Sequence, residues 1–206
     1  MAEDRRVRKS KNAIKKAFIE LLKENRIEKI TIQEISDLAD VNRGTFYLNY
    51  EDKYALLDEM ENEQIEKIRG MVDISKMALD QTSTASFIDD FAKKIIGKVI
   101  THIDDNIDFY KVILTLERKS KIENQFSVFV RNNLEFLIDE GEDVFGIPEE
   151  YYLSYITGSM ISMIKYWVND ENRVSVDELV NYSATIAGTG PLTIMRKLVD
   201  KKFNRD

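Results

Sequence analysis

In DVNRGTFYLNYEDK, residues 40–53, six side chains rich in hydrogen-bond donors fall close together: Asn42, Arg43, Thr45, Tyr47, Asn49 and Lys53, with Gly44 among them. Amide, guanidinium, hydroxyl, phenol and ammonium groups grip anions and read planar hydrogen-bonding edges. No histidine or carboxylate pairs with them in the arrangement of a catalytic constellation. The stretch does not read as core. A strand would alternate apolar and polar residues, and a buried helix would not place Asn42, Arg43 and Asn49 among its aromatics.

Catalytic and metal chemistry find no residues elsewhere. The chain has no cysteine, which excludes disulfides, thiolate catalysis and cysteine-ligated metals. His102 is the one histidine; with Asp104 and Asp105 close behind and no second histidine or cysteine to complete a metal set, it is expected on the polar side of a helix, at the surface. The sequence GTGP (188–191) lacks the Lys-Ser/Thr of a phosphate loop. Paired carboxylates such as Glu149-Glu150 read as helix starts. No cofactor is implied, and an all-helical enzyme has no residues to support it.

Recognition of an anion agrees with the charge distribution. The chain of 206 residues carries −7 overall, but residues 1–53 carry +2 and residues 54–206 carry −9. Arg5, Arg6, Arg8 and Lys9 crowd the start. A basic arm on an acidic body suits one end meeting a polyanion; a solvated, frayed terminus explains the arm equally well. The opening residues have no apolar run of a signal peptide, and no stretch approaches the ~20 apolar residues of a membrane span. A cytoplasmic protein is expected.

The elements that position the donors are helices. Two prolines, eight glycines and 43% hydrophobic residues point to an all-α chain. From Ser10, residues Ile14, Phe18, Leu21 and Leu22 form the stripe of a helix burying one face. Thr31 with Glu34 three residues later is a capping box, opening a short second helix that runs to about Ala39. Asp40-Val41-Asn42 reads as a tight turn, with Val41 as its buried hydrophobe and Asn42 as the cap of a third helix from Arg43 to about Tyr47. Phe46 and Tyr50, four apart, would pack on the first helix. Asp52 would cap a fourth helix over about 53–70. Two short helices joined by such a turn make a helix-turn-helix, whose second helix reads. Beyond about Gly70 the pattern predicts a bundle of about six helices, including Phe87, Phe91, Ile95, Val99 and Ile103 at four-residue spacing and a long helix at about 149–168.

The segment TIQEISDLADVNRGTFYLNYEDKYALL, residues 31–57, preceded by KNAIKKAFIELLKE, resembles the tetracycline-repressor (TetR) family of bacterial transcriptional regulators. The resemblance covers about the first 60 to 65 residues. It implies an N-terminal helix-turn-helix DNA-binding domain over residues 1–53 and a helical effector-binding and dimerisation domain over 54–206. It also implies a ligand-responsive repressor that binds a pseudo-palindromic operator as a homodimer. Carried over residue by residue, Arg43 and Thr45 would face bases and adjacent phosphates, Tyr47 and Lys53 would grip phosphates, and Thr31 would add a backbone contact. Asn49 stands where many members have histidine. Asn42 would cap, contact DNA, or both, and Gly44 would let the backbone approach the sugar-phosphate wall. Arg5, Arg6, Arg8 and Lys9 could follow the DNA backbone or enter the minor groove.

For the dimer, Tyr152, Ile156, Ser159, Met160, Met163 and Trp167 outline one face of the long helix, joined by Tyr182 and Ile186; burial within one monomer explains the same pattern. Pocket candidates for a small-molecule effector are Phe91, Phe109, Phe126, Phe129, Tyr155 and Met163, which are also plausible plain core. A different class of protein, a co-activator or interaction module of the same fold acting through a protein partner, remains open at this point. DNA binding separates the two.

Overall fold

A computed structural model of the chain describes residues 5–71, 92–116, 120–134 and 146–190, of which 92, 127, 129, 130 and 132–134 are described by backbone alone. The described residues are helical with no strand. They fall into two compact units, one within Met1–Lys67 and Ile107–Gln125, the other within Ile68–Asn106 and Phe126–Asp206. The first unit includes most of the fourth helix and a later segment.

In the first unit, helix α1 (Arg5–Glu24) buries Ile14, Ala17, Phe18, Ile19 and Leu22. It starts at Arg5, well before the first residue of the apolar stripe, Ile14, because the stripe marks where burial begins, whereas Arg and Lys are good helix formers that extend a helix into solvent. Arg5, Arg6, Arg8 and Lys9 are therefore exposed helical residues. A single 3-10 turn (Ile27–Lys29) leads to α2 (Ile32–Leu38) and α3 (Arg43–Asn49). α1 packs against both, and Ile14, Phe18, Ile35, Phe46 and Tyr50 are buried together in this unit. Each such side chain contributes roughly 1.5–3 kcal/mol by leaving water. Between α2 and α3 the backbone turns through Asp40, whose φ of 54° lies in the left-handed region that Asp tolerates better than most residues. Val41 donates its N–H to Ser36 O at 3.0 Å, and its side chain is half-buried.

Helix α4 (Lys53–Met71) opens on Asp52, whose Oδ1 accepts from the N–H groups of Tyr54 (2.8 Å) and Ala55 (2.7 Å). An ion-pair cluster locks it to α1: Lys15 bonds Glu63 and lies 3.0 Å from Glu59, Lys11 lies 3.3 Å from Glu59, and the Tyr50 hydroxyl donates to Glu59 at 3.2 Å. Partial burial alone would raise the Glu59 carboxyl, but the bonds and charges of Lys15 and Lys11 outweigh it and hold the group below the usual carboxylate range.

Helix α5 (Gly97–Asp105) belongs to the second unit, and the later segment of the first holds α6 (Ile107–Thr115) and the start of α7 (Lys121–Leu134). α6 packs on α1 and buries Phe109, Tyr110, Val112, Ile113 and Leu114. α7 begins with a buried reciprocal cap, Ser120 N–H to Glu123 (3.0 Å) and Glu123 N–H to Ser120 Oγ (3.1 Å). The fully buried Glu61 of α4 accepts the Lys121 backbone N–H at 2.9 Å, and Lys121 Nζ lies 2.7 Å from Asp58.

In the second unit, a π-helical turn (Ala92–Ile96) leads into α5, and α9 (Val176–Thr189) packs on both. α8 (Glu149–Asn169) precedes α9 in a hairpin pinned by Trp167, whose Nε1–H donates to Val174 O at 2.7 Å, and by Ser183 Oγ, 3.9 Å from Met163 Sδ. Arg173 lies over the Trp167 ring and donates to Asp104 at 3.0 Å.

His102 is not at the surface as expected; it is 7% exposed. α5 is covered on a broad face, Val99, Ile100, His102 and Ile103, and α9 packs both on it and on the π turn that runs into it, so the one-sided stripe undercounted what is buried. Phe87 and the segment 80–86 lie outside the described residues.

Candidate nucleic-acid interface

α3 is placed by its two ends and one seam. Asn42 caps it, its Oδ1 accepting from the Thr45 N–H (2.7 Å) and hydroxyl (3.0 Å). Phe46 and Tyr50 turn inward, ring centroids 5.7 Å apart. Two turns of helix are thereby fixed, and Arg43, Gly44, Tyr47 and Leu48 are left facing solvent.

The donors differ in what they have left to offer. Arg43 Nη2 donates to the Tyr47 hydroxyl at 3.4 Å with its guanidinium 5.9 Å from that ring, which spends one of its five N–H donors and orients the rest. Tyr47 keeps its own phenolic proton. Thr45 is half-buried and gives its hydroxyl proton to Asn42. Asn42, its oxygen occupied, has its exposed Nδ2 to present. Asn49 turns back, Nδ2 donating to Thr45 O at 2.7 Å. Thr31 spends its N–H and its hydroxyl on Glu34, both at 2.8 Å, which holds the Glu34 carboxyl below its usual range.

Two residues occupy roles the sequence did not suggest. Lys53 Nζ donates to Ile30 O (2.7 Å) and Glu28 O (3.0 Å), so two of its three protons brace the turn before α2. A Cβ at Gly44 would meet Asn42 Oδ1 at 3.2 Å, so glycine there also protects the cap. Leu48 was missed altogether: it is 87% exposed, and an isolated leucine between Tyr47 and Asn49 gave no periodic signal to find it by.

The residues read as a dimer face divide. Trp167, 3% exposed, belongs to its own unit's core and has no face to offer a partner. Tyr152, Ile156, Met160 and Met163 are half-buried, while Ser159, Tyr182 and Ile186 are exposed. The open side of α8 lies one residue earlier, at Tyr151, Tyr155 (61% exposed), Gly158, Ser162 and Tyr166 (75% exposed). A cleft of about 430 Å³ in the second unit is lined by Met71, Lys93, Gly97, Lys98, Thr101, His102, Asp105, Val176, Asp177 and Val180. The described pocket candidates are not among its lining residues: Phe109 is buried in the first unit, Phe126 and Met163 are half-buried in the second, and Tyr155 faces solvent. Phe91 and the side chain of Phe129 lie outside the described residues. Among those described, no cluster of histidine and carboxylates fit to hold a metal occurs, and no helix is long and apolar enough to cross a membrane.

Residues 90–187 match the family profile described as transcriptional regulator C-terminal region. Over 47 residues, 23% of this chain, the sequence is 43% identical to the uncharacterized HTH-type transcriptional regulator YxbF of Bacillus subtilis (strain 168); the match spans 12% of that protein. A TetR transcriptional regulator from Streptococcus agalactiae 2603V superposes with a TM-score of 0.60 at 27% identity, covering 89% of this chain and 96% of that one. The fatty acid degradation regulator FadR from Bacillus halodurans shares the fold, with a TM-score of 0.57 at 16% identity over 88% of this chain and 96% of its own.

Proposed function

Because the chain belongs to the TetR family of transcriptional regulators, we propose that it is a repressor whose homodimer binds a pseudo-palindromic DNA operator and releases it when an effector binds. The observation that carries this reading is α3: a seven-residue helix pinned by the Asn42 cap and the Phe46–Tyr50 seam, presenting Arg43 and Tyr47 outward. A helix so held enters a major groove with Arg43 toward base edges and Tyr47 toward a phosphate. Thr45 and Asn42 contribute at its start, and the exposed Arg5, Arg6, Arg8 and Lys9 add positive charge.

Two-fold operators need two reading heads. The exposed face of α8 and α9, namely Tyr151, Tyr155, Ser159, Tyr166, Tyr182 and Ile186, is the surface we propose for pairing; it is aromatic and flanked by small residues that permit close approach. Release works through α4, which starts in the unit holding the reading head and ends in the other, the boundary lying at Lys67–Ile68. An effector that favours one position of α4 changes the spacing of the two heads relative to successive grooves.

Selection of bound duplexes from a random library, with the stoichiometry of the winning complex measured in the same sample, tests the proposal. An inverted repeat bound by an even number of chains is the expected result. A folded protein that enriches nothing at low salt would overturn it in favour of an interaction module acting through a protein partner.

A further inference from the structure

We propose that Leu48 reads a thymine methyl group in each operator half-site, a specificity contact made by an apolar side chain; this rests on the DNA-reading role of α3. At about 100° per residue, Leu48 projects about 180° from the midpoint of the buried Phe46 and Tyr50 directions. It therefore stands at the centre of the outward face. Arg43 and Tyr47 sit together on one flank, tied to each other at 3.4 Å, and Asn49 on the other flank is folded back onto Thr45 O. Gly44, one turn earlier on the same face, has no side chain to hold the helix away. A surface docked against this face lies opposite the Leu48 isobutyl group, and 87% of that residue is open to receive it.

The chemistry of the partner follows from what Leu48 lacks. It can neither donate nor accept a hydrogen bond, so against phosphate oxygens or the N7, O6 and N4 groups of the groove it would only strip water from polar atoms. The one apolar feature that a base pair displays in the major groove is the C5-methyl of thymine. Leucine at this position thus favours thymine without forming a hydrogen bond to it.

The test replaces thymine by deoxyuridine, one position at a time, in the duplex that the wild-type protein selects, and measures affinity for wild-type, Leu48→Ala and Leu48→Met proteins. With its side chain exposed, Leu48 can be replaced without unfolding the helix. Removing the methyl at one symmetric position should weaken wild-type binding about fourfold, the equivalent of one buried methylene. Leu48→Ala should already be weakened and lose nothing more there, while Leu48→Met should keep the dependence. If wild type and Leu48→Ala respond alike at every thymine, or no thymine methyl matters, the inference is overturned with DNA reading intact. If the wild-type protein selects no duplex, both fall together.

Discussion

Replacing Lys53 by methionine keeps the aliphatic stem and removes the ammonium, and so asks what that charge does. The wild-type group spends two protons on the carbonyls of Ile30 and Glu28, at 2.7 and 3.0 Å. A hydrogen bond from a charged donor is worth about 1.5–3 kcal/mol. The Glu28 bond is exposed, however, and water can take over at both carbonyls, so about 1–2 kcal/mol in total is expected from the pair. With a urea dependence of about 2 kcal/mol per M, the unfolding midpoint of the first unit should fall by about 0.5–1 M, at fixed protein concentration so that association does not intrude. DNA affinity measured against salt separates the alternative: one lost phosphate contact per protomer, two in the dimer, would flatten the slope of log affinity on log salt by about 1.8. An unchanged midpoint with a flattened slope would refute the bracing role and make Lys53 a phosphate grip.

Three other outcomes are expected. Glu59→Gln should flatten the acid limb of stability: the depressed Glu59 carboxyl contributes above its ordinary value of 4.5 and loses that contribution as pH falls through its lower folded value, so wild type weakens in that window and the variant changes less, as followed by urea midpoints against pH. Tyr166→Asp with Ile186→Asp should weaken self-association at least a hundredfold in light scattering, since both side chains are exposed in the single chain and a buried charge in an interface is costly, while the chain's circular dichroism stays unchanged. Trp167→Ala should behave in the opposite way, costing about 3–5 kcal/mol of stability while leaving association intact wherever the fold is retained.

The reading head was legible because its signals are local. Thr31 and Glu34, Asn42 and Thr45, and the four-residue step from Phe46 to Tyr50 are each set by neighbours within a turn, and each forms the bond or seam that its spacing implies. Features made by residues far apart in the chain were not legible. The Lys11–Lys15–Glu59–Glu63 cluster joins positions 48 apart, and nothing in either helix alone distinguishes those charges from a solvated face. Lys53 bracing Ile30 has the same character. His102 became buried because α9 arrives from 70 residues downstream. On α8 an apolar stripe was visible, but which side of it faces the chain's own core depends on later residues: Val174 and Arg173 hold Trp167, which is buried, while Tyr166 stays outside.

Glu61 ties two helices of the first unit together. Its carboxylate is closed off from solvent and holds the first backbone N–H of α7. A buried acceptor separated from its donor is left unsatisfied, which costs about 1–3 kcal/mol. The middle of α4 and the opening turn of α7 are therefore tied twice, by this buried bond and by Lys121 Nζ 2.7 Å from Asp58 one turn earlier, so the two segments form a single piece of the first unit's core.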